Sequence, residues 1–162
     1  MNGEPTELTV RSAAREELPR VNELRGMVNE LHAQGRPDIF RPGFCEELRQ
    51  RIYTLFDAPD YGVIVACLGE TICGFAVAQY VDRPATAYLC PMRLYHIEEF
   101  GVDETARRRG AGTALLDFCK AEAARLGFDR LELDVWTFNE AAKQFYQAAG
   151  FQPYRSHLEL KL

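Results

Sequence analysis

The chain has no surplus of positive charge. Its 162 residues carry 24 Asp and Glu against 19 Lys and Arg, a formal net charge of −5. A broad nucleic-acid surface, which needs clustered Lys and Arg, is not expected; the local basic residues suit a small anionic ligand and the acidic remainder a cationic one. Cysteine is sparse and unpatterned: Cys45, Cys67, Cys73, Cys90 and Cys119 contain no C-x-x-C pair and leave an odd one over. Neither a zinc site nor a disulfide framework follows from that spacing, and a reducing cytoplasm is the expected setting. No apolar run approaches the roughly 20 residues that cross a bilayer. Residues Met1 to Glu7 lack the basic patch and apolar stretch of an export signal, so a soluble, unexported protein without membrane partners is expected. Internal repeats and low-complexity tracts are missing too. One domain over residues 1–162, 47% hydrophobic and able to bury its own core, is the expectation.

What is present is periodicity that changes along the chain. Residues 8–13 alternate as a short strand. Leu18, Val21, Leu24, Val28 and Leu31 recur at helical steps over about 16–34, with Pro19 tolerated in the first turn and Gly35 as the stop. A Pro- and Gly-containing loop at 36–43 precedes a second helix at about 44–56. Residues 61–68 and 71–80, rich in Val, Ile and aromatics and separated by Gly69-Glu70, read as a hairpin. A strand over 94–102, a helix over about 109–126 closed by Gly127, and a strand over 131–136 follow. Asn139 caps a helix that runs to Ala149 and stops at Gly150, and 156–162 alternates as a last strand. The order β-α-α-β-β-β-α-β-α-β implies an α/β or α+β sheet covered by helices.

The most informative segment is Val102-Asp103-Glu104-Thr105-Ala106-Arg107-Arg108-Arg109-Gly110-Ala111-Gly112-Thr113, at the junction of a strand and a helix. It has neither the Lys-Ser/Thr pair of a Walker loop nor the spacing of a Rossmann turn. Unpaired amides at a helix start hold anions, and the arginines add charge-assisted bonds. Glycine at 110 and 112 is expected to let a bulky diphosphate approach. A basic helix start facing solvent is the alternative reading.

The chain resembles the GNAT superfamily of N-acetyltransferases, on two stretches. Arg107-Arg108-Arg109-Gly110-Ala111-Gly112 is similar to the family's Gln/Arg-x-x-Gly-x-Gly/Ala pyrophosphate loop. The stretch from Asn139 to Phe151 is similar to its N-x-x-A-x-x-x-Y-x-x-x-G-F motif. The resemblance implies a mixed, mostly antiparallel central sheet with splayed middle strands, about 94–102 and 130–136, flanked by helices on both faces. It implies acetyl-CoA as co-substrate, its diphosphate on Arg107, Arg108, Arg109, Gly110, Ala111, Gly112 and Thr113, and its pantetheine arm along Phe100, Gly101 and Val102. Asn139 would cap its helix and touch the cofactor. Tyr146 would protonate the leaving thiolate.

An amine with a pKa of about 10.4 is free base in only about one molecule in two thousand at neutral pH, and only the free base attacks a thioester. His96 and Glu98, two apart in a strand and so on one face unless a bulge intervenes, match positions where relatives carry the base. Glu99 falls on the opposite face under strict alternation, although a bulge at Phe100-Gly101 would loosen that; Asp134 is a reserve acid. Trp136 and Phe145 are expected in the core, and Asp38 as a solvated loop tip able to attract a cation. The expectation is direct transfer of an acetyl group to a small-molecule primary amine, without a covalent acetyl-enzyme. The alternatives are a protein N-terminal or lysine acetyltransferase and a non-catalytic acyl-CoA-binding regulatory module. The resemblance also allows a homodimer.

Overall fold

The computed structural model describes residues 7–162. Strand β1 (Leu8–Ser12) leads through a 3-10 turn into α1 (Leu18–Gly35), and α2 (Glu46–Asp57) follows the proline-containing loop. The antiparallel run β2 (Tyr61–Leu68), β3 (Thr71–Arg83) and β4 (Met92–Val102) comes next. Then α3 (Ala111–Arg125), β5 (Arg130–Leu133) and α4 (Glu140–Ala148) complete the ordered elements. The strands lie in one sheet in the order β1-β2-β3-β4-β5, antiparallel except for the parallel β4–β5 pair.

Each face of the sheet has its own apolar layer. On one, α1 and α2 bury Leu18, Val21, Leu24, Ile52 and Leu55 against Val63, Val65, Phe75 and Val77. On the other, α3 buries Ala111, Leu115, Leu116, Cys119 and Ala123 against Ile64, Ala76, Ala78, Tyr95 and Ile97. Successive strand residues point to opposite faces, so the nearly continuous apolar runs in β2 and β3 are what a sheet covered on both sides requires. Leu31, expected on the buried stripe of α1, is 43% exposed, and Leu126 is only half-buried; Arg25 and Asn22 take buried places in α1 instead.

Gly35 does not end α1 by its conformation. The helix runs through it to Arg36, and a Cβ at 35 would lie 2.2 Å from the Phe138 ring, so the small residue serves close packing. The strand expected at 156–162 is missing: among the described residues none after α4 joins a ladder, and β5 is paired only with β4. Alternation marks the residues as fit for a strand, but a ladder also needs an adjacent edge, and this segment takes none among the described residues.

Two features set up the central cleft. β4 and β5 are paired only from Leu94↔Arg130 to Ile97↔Leu133. Beyond that point β4 runs on to Val102 while β5 ends, so the strands splay and the β5-facing side of residues 98–102 has no ladder partner. β3 and β4 shift register between Val77↔Glu99 and Ala78↔Ile97. Glu98 is the extra residue, so the bulge lies there and not at Phe100-Gly101.

Candidate active site

The bulge reorders the acids. Tyr95 and Ile97 face α3, so His96 faces the α1 and α2 side. Two residues opposing one at Glu98-Glu99 interrupt the alternation. Glu98 bonds Arg51 of α2 at 2.5 Å, and Glu99 is gripped by Arg25 of α1 at 2.6 and 2.9 Å. Glu99 therefore shares the cleft face with Glu98 and His96, against the expectation from strict alternation. Both carboxylates have an arginine partner, but unequally: Arg25 takes both oxygens of Glu99, is itself 4% exposed, and donates also to Asn22 Oδ1 and the Leu48 carbonyl. That makes Glu99 a fixed part of the scaffold. Glu98, at the bulge and exposed, holds a single bond to the more exposed Arg51. Its charge, after burial, helps raise the Tyr61 phenol above its usual pKa.

His96 sits where the two strands are still paired, opposite Glu132. Its Nδ1 is buried and lies 3.3 Å from Glu132 Oε1 without an aligned hydrogen bond, and its Nε2 is 4.0 Å from Asp134 Oδ2. Glu132 accepts a hydrogen bond from the Tyr154 hydroxyl at 2.5 Å.

Three groups near the cleft carry no sequence motif: Arg25, Glu132 and His32. Burial lowers the pKa of His32 from its usual value, against the raising effect of the Glu99 charge, so the ring is neutral at pH 7 and able to accept a proton. The available signal was the seven-residue spacing of Arg25 and His32, two turns apart on one face of α1. His32 also belongs to an aromatic cluster. Its ring centroid is 5.1 Å from Phe40, which meets Trp136 edge-on at 5.2 Å, and Trp136 stacks on Phe138 at 6.3 Å. Trp136 thus stands outside both core layers, contrary to expectation, with the Arg36 guanidinium 5.9 Å from its centroid. Asp38 is an engaged acid: Arg36 at 2.8 Å and Lys161 at 3.4 Å hold it well below the usual carboxylate range.

At the other end of the splay, α3 begins on Gly110. Gly110 has φ +84° and Arg108 has φ +61°, the one non-glycine residue with positive φ among those described. The turn is thereby wound tightly, at some conformational cost for Arg108. The first main-chain bond back along the helix is from the Ala114 amide to the Gly110 carbonyl, so the amides of residues 111–113 point out of the helix end with its positive dipole. Arg107, Arg108 and Arg109 are all exposed beside them. The two glycines act differently from the sequence expectation. A Cβ at 110 would meet only Leu8, at 3.8 Å, so glycine answers the backbone angle there. A Cβ at 112 would point inward, 3.1 Å from Phe145, so that glycine lets α3 and α4 approach.

Phe145 packs there and against Phe100 at 6.0 Å. Next to it, Tyr146 stands edge-on to the Phe100 ring at 6.0 Å, across from the unpaired stretch of β4. Burial pushes its phenol up to about 12, which keeps the proton on the oxygen and leaves it a hydrogen-bond donor. Asn139 Oδ1 accepts from the Ala142 amide at 3.2 Å, capping α4 as expected. The donor set fits a nucleotide diphosphate with an extended arm: free amides and arginines at one end, unpaired strand edge in the middle, a protonated phenol at the far wall. Among the described residues no cluster of His, Cys, Asp and Glu is arranged to hold a metal ion.

Comparisons with known proteins concern the fold and the family. The chain superimposes on the tetramutant of the BH1408 protein from Bacillus halodurans with a TM-score of 0.91 at 28% identity, covering 95% of this chain and 99% of that one. The aminoglycoside acetyltransferase AAC(6')-Iy, solved with the bisubstrate analogue CoA-S-monomethyl-acetylneamine, superimposes with a TM-score of 0.74 at 16% identity, over 96% and 98% of the two chains. An aminoglycoside acetyltransferase from an uncultured soil metagenomic sample, in complex with trehalose, gives 0.67 at 20% identity over 96% of each. No curated protein matches the sequence. The model of the acetyltransferase (GNAT) family matches residues 27–151, and the chain belongs to that family of N-acetyltransferases.

Proposed function

We propose that the protein transfers an acetyl group from acetyl-CoA to the primary amine of a small molecule, by direct attack on the thioester. The observation that carries this reading is the splay of β4 from β5. It places the unpaired edge of residues 98–102 between the free amides of α3 and the Tyr146 hydroxyl. In this reading the amides and side chains of Arg107, Arg108, Arg109, Gly110, Ala111, Gly112 and Thr113 hold the diphosphate. Phe100, Gly101 and Val102 pair with the pantetheine arm, and Asn139 keeps α4 and hence Tyr146 in place. The co-substrate, when bound, supplies the electrophilic carbonyl.

The amine enters from the α1 and α2 side, where the exposed Asp134, near His96, favours a cation. Glu98 takes the ammonium proton, directly or through one water, and His96 is the second candidate through its Nε2, since its Nδ1 is buried against Glu132. Tyr146 donates a hydrogen bond to the sulfur as negative charge gathers there. The cleft is bordered by the aromatic cluster of Phe40, Trp136 and Phe138, a surface suited to a compact organic cation. That favours a small molecule over a peptide as acceptor, and the structurally similar enzymes named above are aminoglycoside acetyltransferases. A cytoplasmic setting accords with the buried free thiols of Cys67, Cys73 and Cys119, and no helix among the described residues is long and apolar enough to cross a membrane.

The test is release of free CoA thiol from acetyl-CoA across a panel of polyamines, aminoglycosides, amino acids and peptides. Turnover with a small amine is expected; turnover with peptides alone would shift the acceptor to protein. Binding of acetyl-CoA without turnover on any amine would make the chain a regulatory module. With an acceptor in hand, Glu98→Gln should remove the acidic limb of the kcat/KM pH profile and His96→Ala should leave it; the reverse result assigns the base to His96.

A further inference from the structure

We propose that Glu132 is a positioning residue for His96. It holds the imidazole with its proton on Nδ1, so that the Nε2 lone pair faces the cleft and takes the second of the two protons the amine must lose. This rests on the amine transfer proposed above, and it gives His96 a task distinct from that of Glu98.

The need for a second acceptor follows from the proton balance. An ammonium that ends as an amide gives up two protons from its nitrogen. Glu98 takes the first and frees the lone pair. Once the N–C bond forms, the nitrogen carries a positive charge, and one more N–H bond must break with its electron pair left on nitrogen. The C–S bond breaks with its pair on sulfur, so that one of the two protons ends on the thiol and the other in solvent. While Glu98 still holds the first, another base must face the same nitrogen.

The sheet supplies that base and its support. Strands β2 to β5 set Tyr61, Gln79, His96 and Glu132 opposite one another, a polar row across four strands. It lies on the α1 and α2 face, one rung beyond the apolar pair of Val63 and Val77. His96 is on the last rung but one before β4 and β5 separate. Its Nδ1 is the one buried side-chain nitrogen or oxygen without a hydrogen-bond partner among the described residues, and such atoms are otherwise paired. Glu132 Oε1 stands 3.3 Å from it. An ionised carboxylate only accepts, and a neutral imidazole has one N–H, so a ring facing Glu132 carries its proton on Nδ1 and keeps Nε2 as the acceptor. The contact is out of line in the free protein, and bonds of this kind tighten when substrate engages. Glu132 is itself held: Oε2 accepts from the Tyr154 hydroxyl at 2.5 Å, and the side chain is only 14% exposed. Asp134, 86% exposed and 4.0 Å from Nε2, is free to swing and does not fix the ring.

Nitrogen NMR of the imidazoles tests this on the free protein, with no acceptor present. The chain has three histidines, and the signals of His96 are those lost in His96→Gln. At about pH 8.5, where an ordinary imidazole is neutral, His96 should carry its proton on Nδ1. In Glu132→Leu the proton should move in large part to Nε2, with the other two histidines unchanged. A proton on Nε2 in the unaltered protein, or one still on Nδ1 in Glu132→Leu, would overturn the proposal. With the fastest amine of the panel above, Glu132→Leu should lower kcat about tenfold, the low end for removing a group that orients an imidazole, and leave KM for acetyl-CoA within about twofold. It should add nothing to His96→Ala in the double variant; losses that multiply there would overturn the positioning role. Absence of turnover with every amine overturns the transfer reading and the second-proton task with it, whereas the spectra decide the role of Glu132 independently.

Discussion

At the scale of single residues, the cleft is organised by which carboxylate is held by one exposed arginine and which is locked by a buried one. Arg25 is buried and donates two hydrogen bonds to Glu99 and one each to Asn22 and the Leu48 carbonyl, and its guanidinium lies 5.3 Å from the Phe44 centroid. Removing one member of such a pair strands the other charge. Arg25→Met is expected to lower stability by about 3 kcal/mol, the low end for a buried pair, because Glu99 keeps some access to water. Urea denaturation measures it, and Arg25→Met with Glu99→Leu should recover most of the loss. Tyr146 tests chemistry more than folding. Its hydroxyl has no counter-charge nearby, only aromatic rings and depth, so Tyr146→Phe should leave the fold intact. It should lower kcat about 100-fold, the low end for loss of a positioned proton donor, with the dissociation constant for acetyl-CoA within about twofold. Free-thiol release and calorimetry separate the two quantities.

At the scale of elements, the glycines divide into those that answer a backbone angle and those that make room. Gly110 belongs to the first kind, and Gly110→Ala should cost about 1 kcal/mol of stability for the left-handed conformation and weaken CoA binding as the amide array loses its shape. Isothermal calorimetry with CoA checks the second effect; unchanged affinity would remove the turn from the binding site. Local signals made this region legible in the sequence: Gly110, Asn139, Gly127 and Gly150 each act within a few residues of themselves, and the hairpin of β2 and β3 follows from its Gly69-Glu70 turn. The Arg25–Glu99 pair was not legible, since the partners are 74 residues apart and neither has a local signal of pairing. The bulge at Glu98 was not legible for a similar reason, because register depends on the facing strand β3, where Val77 pairs with Glu99 and Ala78 with Ile97. The last strand failed from the opposite cause: the alternation of 156–162 is local, and its partner edge is not.

At the scale of the whole molecule, ion pairs tie α1 and its entry to the edge strand β1 and to the segment that follows β4. Arg20 reaches Asp103 at 2.6 Å, just before the phosphate turn, while Arg11 on β1 holds Glu17 at the entry to α1. Asp103 is lowered below its usual pKa first by the Thr105 amide and then by Arg20, and Glu17 is lowered chiefly by Arg11. A carboxylate whose folded pKa is depressed contributes stability that is present above its unfolded pKa, about 4 for these groups, and is lost as pH falls through the folded value. The denaturation midpoint should therefore hold between pH 5 and 7 as far as these two groups are concerned and drop below about pH 4. Asp103→Asn should flatten that drop while lowering the plateau, and an unchanged slope would show that the acid transition arises elsewhere. The same link predicts that acid loosens the start of α3 together with α1, since Asp103 serves both.

The extra residue at Glu98 also fixes the parity of β4. Side chains along a strand are read two by two, and inserting one residue changes which of the following ones count as odd. With the bulge in place, Phe100 faces Tyr146 and Glu99 faces Arg25. Deleting Glu98 would restore regular alternation and leave Ile97, Glu99 and Phe100 on their present faces, whereas deleting a residue elsewhere in the strand would invert the assignments beyond it, a carboxylate entering an apolar layer or a phenyl ring leaving it. In evolutionary terms, β4 should tolerate many substitutions at its exposed positions and almost no change in length.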